Sequence, residues 1–299
     1  MPQLQRMKIL IVGASGFIGR ALHRHLGQER CIATYHNARD LDVRGKEWVH
    51  FDLLNDAPGI LSLEDVSHAV VLSGITNPDL CVKESELSEA VNVRGLKRLL
   101  NHLGERQIHC IFSSTEAVFD GLTGNYVESD PAHPVMLYGR QKLIVEQYLA
   151  DHWPAATSIR IAKVYGTEPG DKSLLDNWYR QALSDKEIRC AEDFICSVVH
   201  IDDVVKAVLA IVTNDLTGIY HVGGPRGVSR FDMFAVLLDA LQREQRLPLT
   251  RAVPCSIDEF ITLERRPKNL SLNTDKLLMD AGISLRSIEE GCREFAERL

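Results

Sequence analysis

Short hydrophobic runs separated by amphipathic stretches organise the first half of the chain. Residues 8–12 are mainly apolar and β-branched and end at Gly13, which is typical of a strand buried on both faces. Comparable runs occupy residues 31–35, 48–51, 69–73, 108–113 and 157–161, and the longest helical stretches between them cover residues 84–103 and 136–151. Buried strands that alternate with helices predict parallel βαβ units, and hence an α/β fold with a doubly wound parallel sheet.

The pattern changes after about residue 166. Helical segments there alternate with short strands, and no long Gly/Ser/Pro linker separates them. The helices are predicted at residues 172–183, 202–212 and 231–242, and the strands include residues 196–201 and 218–222. We predict a first domain over residues 1–166, to which later segments return, and a smaller C-terminal lobe over residues 167–299.

Composition narrows the class of protein. Of the 299 residues, 45% are hydrophobic and 25% are charged, which is ordinary for a soluble globular protein. The formal net charge of −7 argues against a nucleic-acid surface. The first apolar run is too short for a signal-peptide core or a membrane span, so we expect a cytoplasmic protein with no membrane partner. Seven cysteines without a Cys-x-x-Cys pair predict reduced thiols.

The first candidate for chemistry is Gly13-x-x-Gly16-x-x-Gly19, directly after a strand and at the opening of a helix. Glycines suit this turn because the backbone must bend sharply, approach a pyrophosphate closely and let the helix pack on the strand. Phosphates would then meet N–H groups at the helix N-terminus. In this context the motif predicts a Rossmann-type dinucleotide site, although glycines alone can mark any tight turn.

Tyr138-Gly-Arg-Gln-Lys142 is the second candidate. On a helix, positions i and i+4 share a face, so the phenol and the ammonium can reach one pocket. A nearby ammonium stabilises phenolate and eases proton exchange near neutral pH. Taken alone, the spacing fits a surface helix equally well.

The third candidate is Ser113-Ser114-Thr115, at the end of a predicted strand. Ligands of open α/β sheets bind outside the carboxyl ends of the strands. A hydroxyl there can hold a substrate carbonyl or a developing oxyanion. The alternative is that these residues only end the strand.

A longer pattern around these features resembles the extended short-chain dehydrogenase/reductase superfamily, also called the NAD-dependent epimerase/dehydratase superfamily. The matching segments are Val118-Phe-Asp-Gly121, Tyr126-x-Glu128-x-Asp130-x-x-x-Pro134 and Tyr138-Gly-x-x-Lys142-x-x-x-Glu146. Within it the chain is most similar to the dTDP-4-dehydrorhamnose reductase branch, whose hallmark reads S-T-D-Y-V-F-D-G. Further matches are Ala90-Val-Asn92-Val-x-Gly95, Arg160-x-x-x-Val164-Tyr165-Gly166, His200-Ile-Asp-Asp203 and Arg266-Pro-Lys-Asn269. The resemblance covers most of the chain and is strongest over residues 8–166.

The resemblance implies a catalytic role for three residues. Thr115 would hold the reacting oxygen, Tyr138 would donate a proton, and Lys142 would bind the cofactor ribose and tune Tyr138. Asn92 would lie behind them, and Asp52 would meet the adenine amino group. The implied cofactor-binding residues are Gly13, Ser15, Gly16, Phe17, Ile18, Gly19, His36, Asn37, Arg39, Asp52, Leu53, Ser73, Gly74, Asn92, Ser113, Tyr138, Lys142 and Tyr165.

The implied reaction is reduction of a keto group on a nucleotide-linked sugar, with the C-terminal lobe binding the substrate. The implied substrate-binding residues are Thr115, Glu116, Asn177, Trp178, His200 and Arg266. Arginine suits a diphosphate because its planar fork pairs with phosphate bidentately. Glu116-Ala117 replaces the Asp-Tyr of the hallmark, which removes an aromatic group from the substrate pocket and leaves the sugar open. A homodimer is an allowed assembly.

Two alternatives remain open at this point. An epimerase or dehydratase of the same superfamily would use the same residues but recycle a tightly bound cofactor. A regulatory subunit, like the partner of methionine adenosyltransferase that shares this fold, would bind without turnover, because a scaffold can outlive its chemistry.

Cofactor preference depends on the residues after the second strand. There, His36-Asn37-Ala38-Arg39 precedes the first carboxylate, Asp40. A carboxylate at the strand end would repel the 2′-phosphate of NADP, whereas Arg39 could pair with it. We therefore expect NADP(H), with NAD(H) as the alternative if Arg39 pairs with Asp40 or Asp42 instead.

No metal site is predicted. His23-x-His25 falls in the first helix and is interpreted as surface, away from the expected site. Cys190 and Cys196 lack the close ligand spacing of a structural zinc site.

Overall fold

The computed structural model describes residues 7–37, 47–246 and 250–299. Its strands are β1 (Lys8–Val12), β2 (Cys31–Tyr35), β3 (Trp48–His50), β4 (Val66–Val71), β5 (His109–Thr115), β6 (Thr157–Ile161), β7 (Val164–Tyr165), β8 (Glu187–Ala191), β9 (Ile195–Cys196), β10 (Val199–His200), β11 (Gly218–Val222), β12 (Val228–Ser229) and β13 (Arg251–Cys255). Its α-helices are α1 (Phe17–Leu26), α2 (Pro78–Lys83), α3 (Ser85–Glu89), α4 (Leu96–Gly104), α5 (Leu137–His152), α6 (Leu174–Ala182), α7 (Ile201–Thr213), α8 (Arg230–Arg243), α9 (Asp275–Ala281) and α10 (Ile288–Arg298).

Seven strands form one sheet in the order β11-β6-β5-β4-β1-β2-β3. The pairs β3–β2, β2–β1, β1–β4 and β4–β5 are parallel. The strand order reverses between β1 and β4, and in open α/β sheets such a switch point is where ligands bind. The predicted doubly wound, Rossmann-type fold is thus confirmed.

Two predicted elements differ in the structure. The long helix expected over residues 84–103 is divided into α3, a π-helical turn at Ala90–Gly95 and α4. The strand expected over residues 196–201 ends at β10, and α7 begins at Ile201. Helix α7 begins there because the Nδ1 atom of His200 accepts a hydrogen bond from the Asp202 N–H (3.1 Å), in the way an N-cap side chain does.

The chain divides into two compact units. Unit 1 comprises residues 1–115, 136–160 and 205–220. Its core contains the strand side chains of β1, β4 and β5 and the apolar face of α4, a set that includes Leu10, Val71, Leu99 and Phe112. Burial on both faces of the sheet explains why these strands are almost continuously hydrophobic.

Unit 2 comprises residues 116–135, 161–204 and 221–299. It contains the parallel pairs β7–β10 and β8–β13 and the antiparallel pair β9–β12. Its core joins α6, α8 and α10 around Trp178, Phe234 and Phe295.

Two further features concern the cysteines and the lengths of the helices. All seven cysteines are buried and are present as free thiols. No helix in the described ranges combines the length and the hydrophobicity that a membrane crossing requires.

Candidate active site

The glycine-rich turn of unit 1 has no room for side chains. Gly13 adopts φ +89°, and a Cβ atom there would lie 2.6 Å from the hydroxyl of Ser73, at the end of β4. Its N–H donates to the Oγ1 atom of Thr34 (3.0 Å). A Cβ atom on Gly19 would lie 2.3 Å from the Gly13 carbonyl, so α1 packs directly on the turn. The turn therefore lies at the switch between β1 and β4, where the fold places a ligand.

The N-terminus of α1 is suited to an anion. Gly16 caps the helix without a side chain, and the first turn contains no acidic residue. The positive end of the helix dipole is thus not neutralised from within the helix. Ser15, Phe17 and Ile18, for which the resemblance implies contact with the cofactor, are partly exposed around it. These features fit a dinucleotide pyrophosphate.

Asp52 follows β3 and is held as an acceptor. Its carboxylate accepts hydrogen bonds from the Leu54 N–H (2.8 Å) and from Nδ2 of Asn55 (2.7 Å). Burial would raise the pKa of Asp52, but these hydrogen bonds outweigh it and the pKa lies below its ordinary value. The Nε2 atom of His36, an exposed side chain, lies 3.8 Å from Oδ2 of Asp52.

The other residues predicted to bind the cofactor near Asp52 and after β4 show few specific contacts. The Leu53 carbonyl accepts a hydrogen bond from Arg98. Gly74 and Ser73 are partly buried, and Asn37 is exposed. Arg39, on which the prediction of NADP(H) depends, lies outside the described residues, as do Asp40 and Asp42.

Lys142 is anchored inside unit 1. Its side chain is only 2% exposed, and its Nζ atom donates to the Ser113 carbonyl (2.7 Å). Nζ lies 6.0 Å from the centre of the Tyr138 ring, one helical turn earlier on α5. Burial lowers the pKa of Lys142 to about 8, against the opposing charge of Glu146. The ammonium is thus fixed beside β5, with two further N–H donors for other partners.

Thr115 is the last residue of β5 and is buried. It lies two positions beyond Ser113, so both side chains share one face of the strand. The structure therefore brings the end of β5, which carries Thr115, and the first turns of α5, which carry Tyr138 and Lys142, into one region of unit 1.

Asn92 supports this region from the π-helical turn. Its Oδ1 atom accepts from the Ile75 N–H (2.8 Å), and its Nδ2 atom donates to the Ile75 carbonyl (2.9 Å) and to Oε1 of Gln141 (2.8 Å). Gln141 in turn donates to the hydroxyl of Ser88 (2.8 Å). Asn92 therefore ties the loop after β4 to the residue preceding Lys142. A π-helical turn is often found at functional sites.

Two supporting contacts lie beyond what the motif predicts. Gln141 lies within the Tyr138–Lys142 motif but contacts distant parts of the chain, and a buried ion pair joins Arg160 to Glu146 (2.8 Å). Glu146 is one turn after Lys142 on α5, so the pair explains why the motif extends to that glutamate.

Glu116 is the most perturbed carboxyl group of unit 2. Its side chain is 8% exposed, and its Oε2 atom has no hydrogen-bond partner in the described part of the chain. Burial raises its pKa to about 8, although the charge of Lys163 and a hydrogen bond from the Lys163 backbone oppose the shift. At neutral pH the group is mainly a neutral acid, which can donate as well as accept a hydrogen bond.

The segment after Glu116 is locked within unit 2. Phe119 stacks on Tyr126, with ring centres 4.1 Å apart. Gly121 faces Pro267, where a Cβ atom would approach to 2.3 Å, and its carbonyl accepts from the Asn269 N–H (3.0 Å). Two segments recognised separately in the sequence, residues 118–121 and 266–269, thus pack on each other.

Three predicted substrate-binding residues of unit 2 differ in exposure. Asn177 is exposed and donates to the Lys172 carbonyl (2.9 Å). Trp178 is buried in the core, and the Arg230 guanidinium lies 4.9 Å from its ring centre. Arg266 is half-buried.

His200 and Tyr165 lie in the interior of unit 2. His200 is 1% exposed, and its Nε2 atom lies 3.1 Å from Arg286. Burial and the Arg286 charge lower the pKa of His200. Tyr165 is fully buried and donates to the Ser287 carbonyl (3.2 Å), and burial raises its pKa. Both side chains are enclosed in the interior of this unit, and the contacts of His200 with the substrate and of Tyr165 with the cofactor stay predictions.

The structure also places the two histidines of the first helix and the cysteines at positions 190 and 196. His23 is partly buried against Trp48, with ring centres 4.7 Å apart, and His25 is exposed. Cys190 and Cys196 are buried, and burial raises their pKa values.

A Rossmann-type sheet, a glycine turn at its switch point and a Tyr138–Lys142 pair on α5 define a dinucleotide-binding protein of the short-chain dehydrogenase/reductase type. The family model described as the RmlD substrate binding domain matches residues 7–299, and the chain belongs to this family.

Individual relatives extend this result. The chain is 28% identical to a dTDP-4-dehydrorhamnose reductase from Sinorhizobium fredii, over 97% of this chain and 96% of that protein. It is 24% identical to methionine adenosyltransferase 2 subunit beta from Danio rerio, over 94% and 86% of the two chains. Among solved structures, a dTDP-4-dehydrorhamnose reductase from Bacillus anthracis in complex with NADP has a TM-score of 0.80 and 21% identity, over 97% and 98% of the chains, and shows the shared fold.

Proposed function

We propose that this protein is an NADP(H)-dependent reductase of a keto group on a nucleotide-linked sugar, similar to dTDP-4-dehydrorhamnose reductase. The observation that carries the proposal is the buried Lys142, fixed by the Ser113 carbonyl one helical turn from Tyr138. Burying a cation costs free energy, and one hydrogen bond to a carbonyl offsets only part of that cost. The position is nevertheless useful, because the ammonium lies beside the group whose proton transfer it can assist. The family and the Sinorhizobium fredii relative support the same activity.

The residues of unit 1 would hold the cofactor. The turn at residues 13–19 would take the pyrophosphate and Asp52 the adenine amino group. One further N–H donor of Lys142 would reach the ribose. The Bacillus anthracis neighbour is a complex with NADP, which supports this cofactor class.

The preference for NADP(H) over NAD(H) rests on Arg39. Replacing it in an Arg39→Ala variant should raise the Michaelis constant for NADPH about ten- to a hundredfold, the loss expected for a charge-assisted hydrogen bond of roughly 1.5–3 kcal/mol. The constant for NADH should stay nearly unchanged. Equal effects on both cofactors, or a wild-type preference for NADH, would contradict the assignment.

The side chains of unit 1 account for the proton chemistry. When bound, the nicotinamide cofactor would supply the hydride that reduces the carbonyl carbon. Tyr138 transfers its phenolic proton to the carbonyl oxygen, and the Thr115 hydroxyl holds that oxygen as charge develops on it. Lys142 stabilises the phenolate left on Tyr138, which solvent then reprotonates. One hydride and one proton thus convert the ketone into an alcohol.

Unit 2 would bind the sugar nucleotide, and Glu116 and Ala117 would shape its sugar end. The small Ala117 leaves space that the aromatic residue of the hallmark would fill. The largely neutral Glu116 can donate a hydrogen bond to a sugar oxygen. Arg266 and Asn177 are the partly or fully exposed candidates for the nucleotide portion.

Two measurements test the proposal. Thermal denaturation with NADPH and a panel of nucleotide sugars should show stabilisation by the nucleotide of the true substrate, because a ligand stabilises the folded state by mass action. NADPH oxidation with the matching 4-keto sugar should then be catalytic and continuous.

Conversion of the sugar without net oxidation of NADPH would instead identify an epimerase or dehydratase. Binding without turnover of any keto sugar would identify a regulatory subunit, as the name of the Danio rerio relative suggests.

A further inference from the structure

We propose that His68, His109 and Asp215 form a binding site for one divalent metal ion of the zinc type. All three belong to unit 1, and their candidate ligand atoms lie within 4.8 Å of one another. His68 and His109 are register partners on β4 and β5, and their rings stack 5.0 Å apart. Asp215 follows α7.

The hydrogen bonds of His109 fix its tautomer. The hydroxyl of Thr157 donates its single proton to the Leu216 carbonyl. The same hydroxyl oxygen lies 2.9 Å from Nε2 of His109, so it must accept the proton that Nε2 carries. In the neutral ring, Nδ1 then holds a lone pair, and it faces Oδ1 of Asp215 at 3.9 Å.

A lone pair that faces a carboxylate oxygen calls for a cation between them. The tautomer of His109 leaves Nδ1 available as a ligand, because Nε2 donates to the Thr157 hydroxyl. Neutral imidazole nitrogens and an ionised carboxylate are the ligand forms that a divalent metal needs.

His68 provides the second nitrogen in a matching arrangement. Its Nε2 atom lies 3.1 Å from Oδ1 of Asp215, and its Nδ1 atom lies 2.9 Å from the hydroxyl of Ser67. When Nε2 binds an ion, Nδ1 carries the proton and donates it to Ser67. Each histidine would then direct its outer N–H to a hydroxyl group, Ser67 or Thr157, as metal-bound histidines do.

The distances and the exposure fit a zinc-type ion. Ligand atoms about 2.0–2.2 Å from zinc in a tetrahedron lie roughly 3.2–3.6 Å apart. The two distances to Oδ1 of Asp215, 3.1 and 3.9 Å, lie within a few tenths of an ångström of this range. The two histidine nitrogens lie within 4.8 Å of each other and would have to approach the ion. The Asp215 side chain is 69% exposed, which allows entry of the ion and a water molecule as a fourth ligand. Imidazole with one carboxylate suits zinc, cobalt and nickel.

The location indicates a structural role. His109 is the first residue of β5 and Thr115 its last, so about 20 Å of strand separates this cluster from the candidate active site. An ion there would join β4, β5 and the segment after α7. It would stabilise unit 1 without taking part in the reaction.

The direct test uses chelator-treated, metal-free protein titrated with Co²⁺ and then with Zn²⁺. We expect one ion per chain, visible Co²⁺ ligand-field bands that zinc abolishes, and a higher melting temperature with Zn²⁺. X-ray absorption of the zinc-loaded wild-type protein should show two imidazoles and oxygen. Sulfur scattering would place the ion on a cysteine and overturn the proposal, as would binding weaker than about 100 μM.

Matched variants locate the site. Asp215→Asn removes the charge, and asparagine tolerates the left-handed backbone of this residue (φ +47°). His109→Gln can retain an N–H donor toward Thr157. Both should weaken zinc binding at least tenfold while melting near the wild type in chelator. The control His152→Gln, an exposed histidine of α5, should bind like the wild type. Undiminished affinity in both cluster variants would refute the site.

Discussion

The candidate residues of unit 1 and unit 2 differ in how the fold holds them. In unit 1, Lys142 and Asn92 are fixed by hydrogen bonds to backbone atoms at the ends of neighbouring strands. In unit 2, His200 is enclosed in the interior, while Glu116 keeps a buried oxygen without a hydrogen-bond partner among the described residues. Under the proposed function, the residues assigned to proton transfer are thus held by hydrogen bonds, whereas Glu116, which departs from the family hallmark, is held less completely.

The largest effect should come from Tyr138. A Tyr138→Phe variant keeps the ring but loses the proton, so turnover should fall at least a hundredfold, within the roughly 10²–10⁴-fold that general acids contribute. The dissociation constant for NADPH, measured by fluorescence, should change little. Near-normal turnover would remove Tyr138 from the mechanism.

The next effect concerns Lys142. A Lys142→Met variant should lose on the order of ten- to a hundredfold in turnover and should also bind NADPH more weakly. The substitution removes both the stabilisation of the Tyr138 phenolate and the proposed contact with the ribose. The wild-type rate should fall above about pH 8, where the ammonium with its lowered pKa loses its proton.

Lys142→Arg provides the control, because arginine stays charged. Its residual activity should not fall near pH 8. If the rate of this variant falls at the same pH as that of the wild type, another group is titrating.

Glu116 should produce a smaller, pH-dependent effect on stability. Its pKa is about 8 in the folded protein and near 4.5 when unfolded, so between these values the folded state binds more protons. Stability from this group is therefore lost as pH rises, by up to about 1.4 kcal/mol per pH unit.

A Glu116→Gln variant removes this dependence. Relative to the wild type, its melting temperature should rise by up to roughly ten degrees between pH 5 and pH 8, because the difference in stability reaches about 4 kcal/mol. Glu192→Gln, at an exposed position of the same unit, should follow the wild type. A constant difference between Glu116→Gln and the wild type would show that the carboxyl group is ionised throughout.

The smallest effect on catalysis should come from His200. Its ring is buried and caps α7, so His200→Gln should lower the melting temperature by a few degrees, as the loss of about 1–3 kcal/mol implies. The Michaelis constant for the sugar nucleotide should stay within about twofold of the wild type. A tenfold increase would restore His200 as a substrate contact and weaken the contrast between the units.

Local sequence pattern predicted the parts of the molecule that depend on neighbours in the chain. The strands of the sheet, the turn at Gly13 and the placement of Tyr138 and Lys142 on one helix follow from hydrophobic periodicity and i, i+4 spacing. The π-helical turn at Asn92 and the role of Gln141 depend on contacts across the fold. Periodicity cannot report such contacts.

The cluster of His68, His109 and Asp215 shows the same limit more strongly. Its members come from three distant parts of the chain, and none has a metal-ligand spacing to another. Only the register of β4 with β5, and the return of the segment after α7, bring them together. The sequence likewise could not reveal that His200 and Tyr165 are buried, because position in a motif does not distinguish an interior residue from one that lines a site.

Transfer of a labelled hydride tests the central claim most directly. The protein would be incubated with a 4-keto nucleotide sugar and with NADPH in which both hydrogens on the nicotinamide C4 are deuterium. The sugar product would then be analysed by mass spectrometry. We predict one deuterium in each product molecule and one NADP⁺ formed per sugar reduced. In Tyr138→Phe both products should form at least a hundredfold more slowly. A converted sugar without deuterium and without net NADPH oxidation would contradict the central claim.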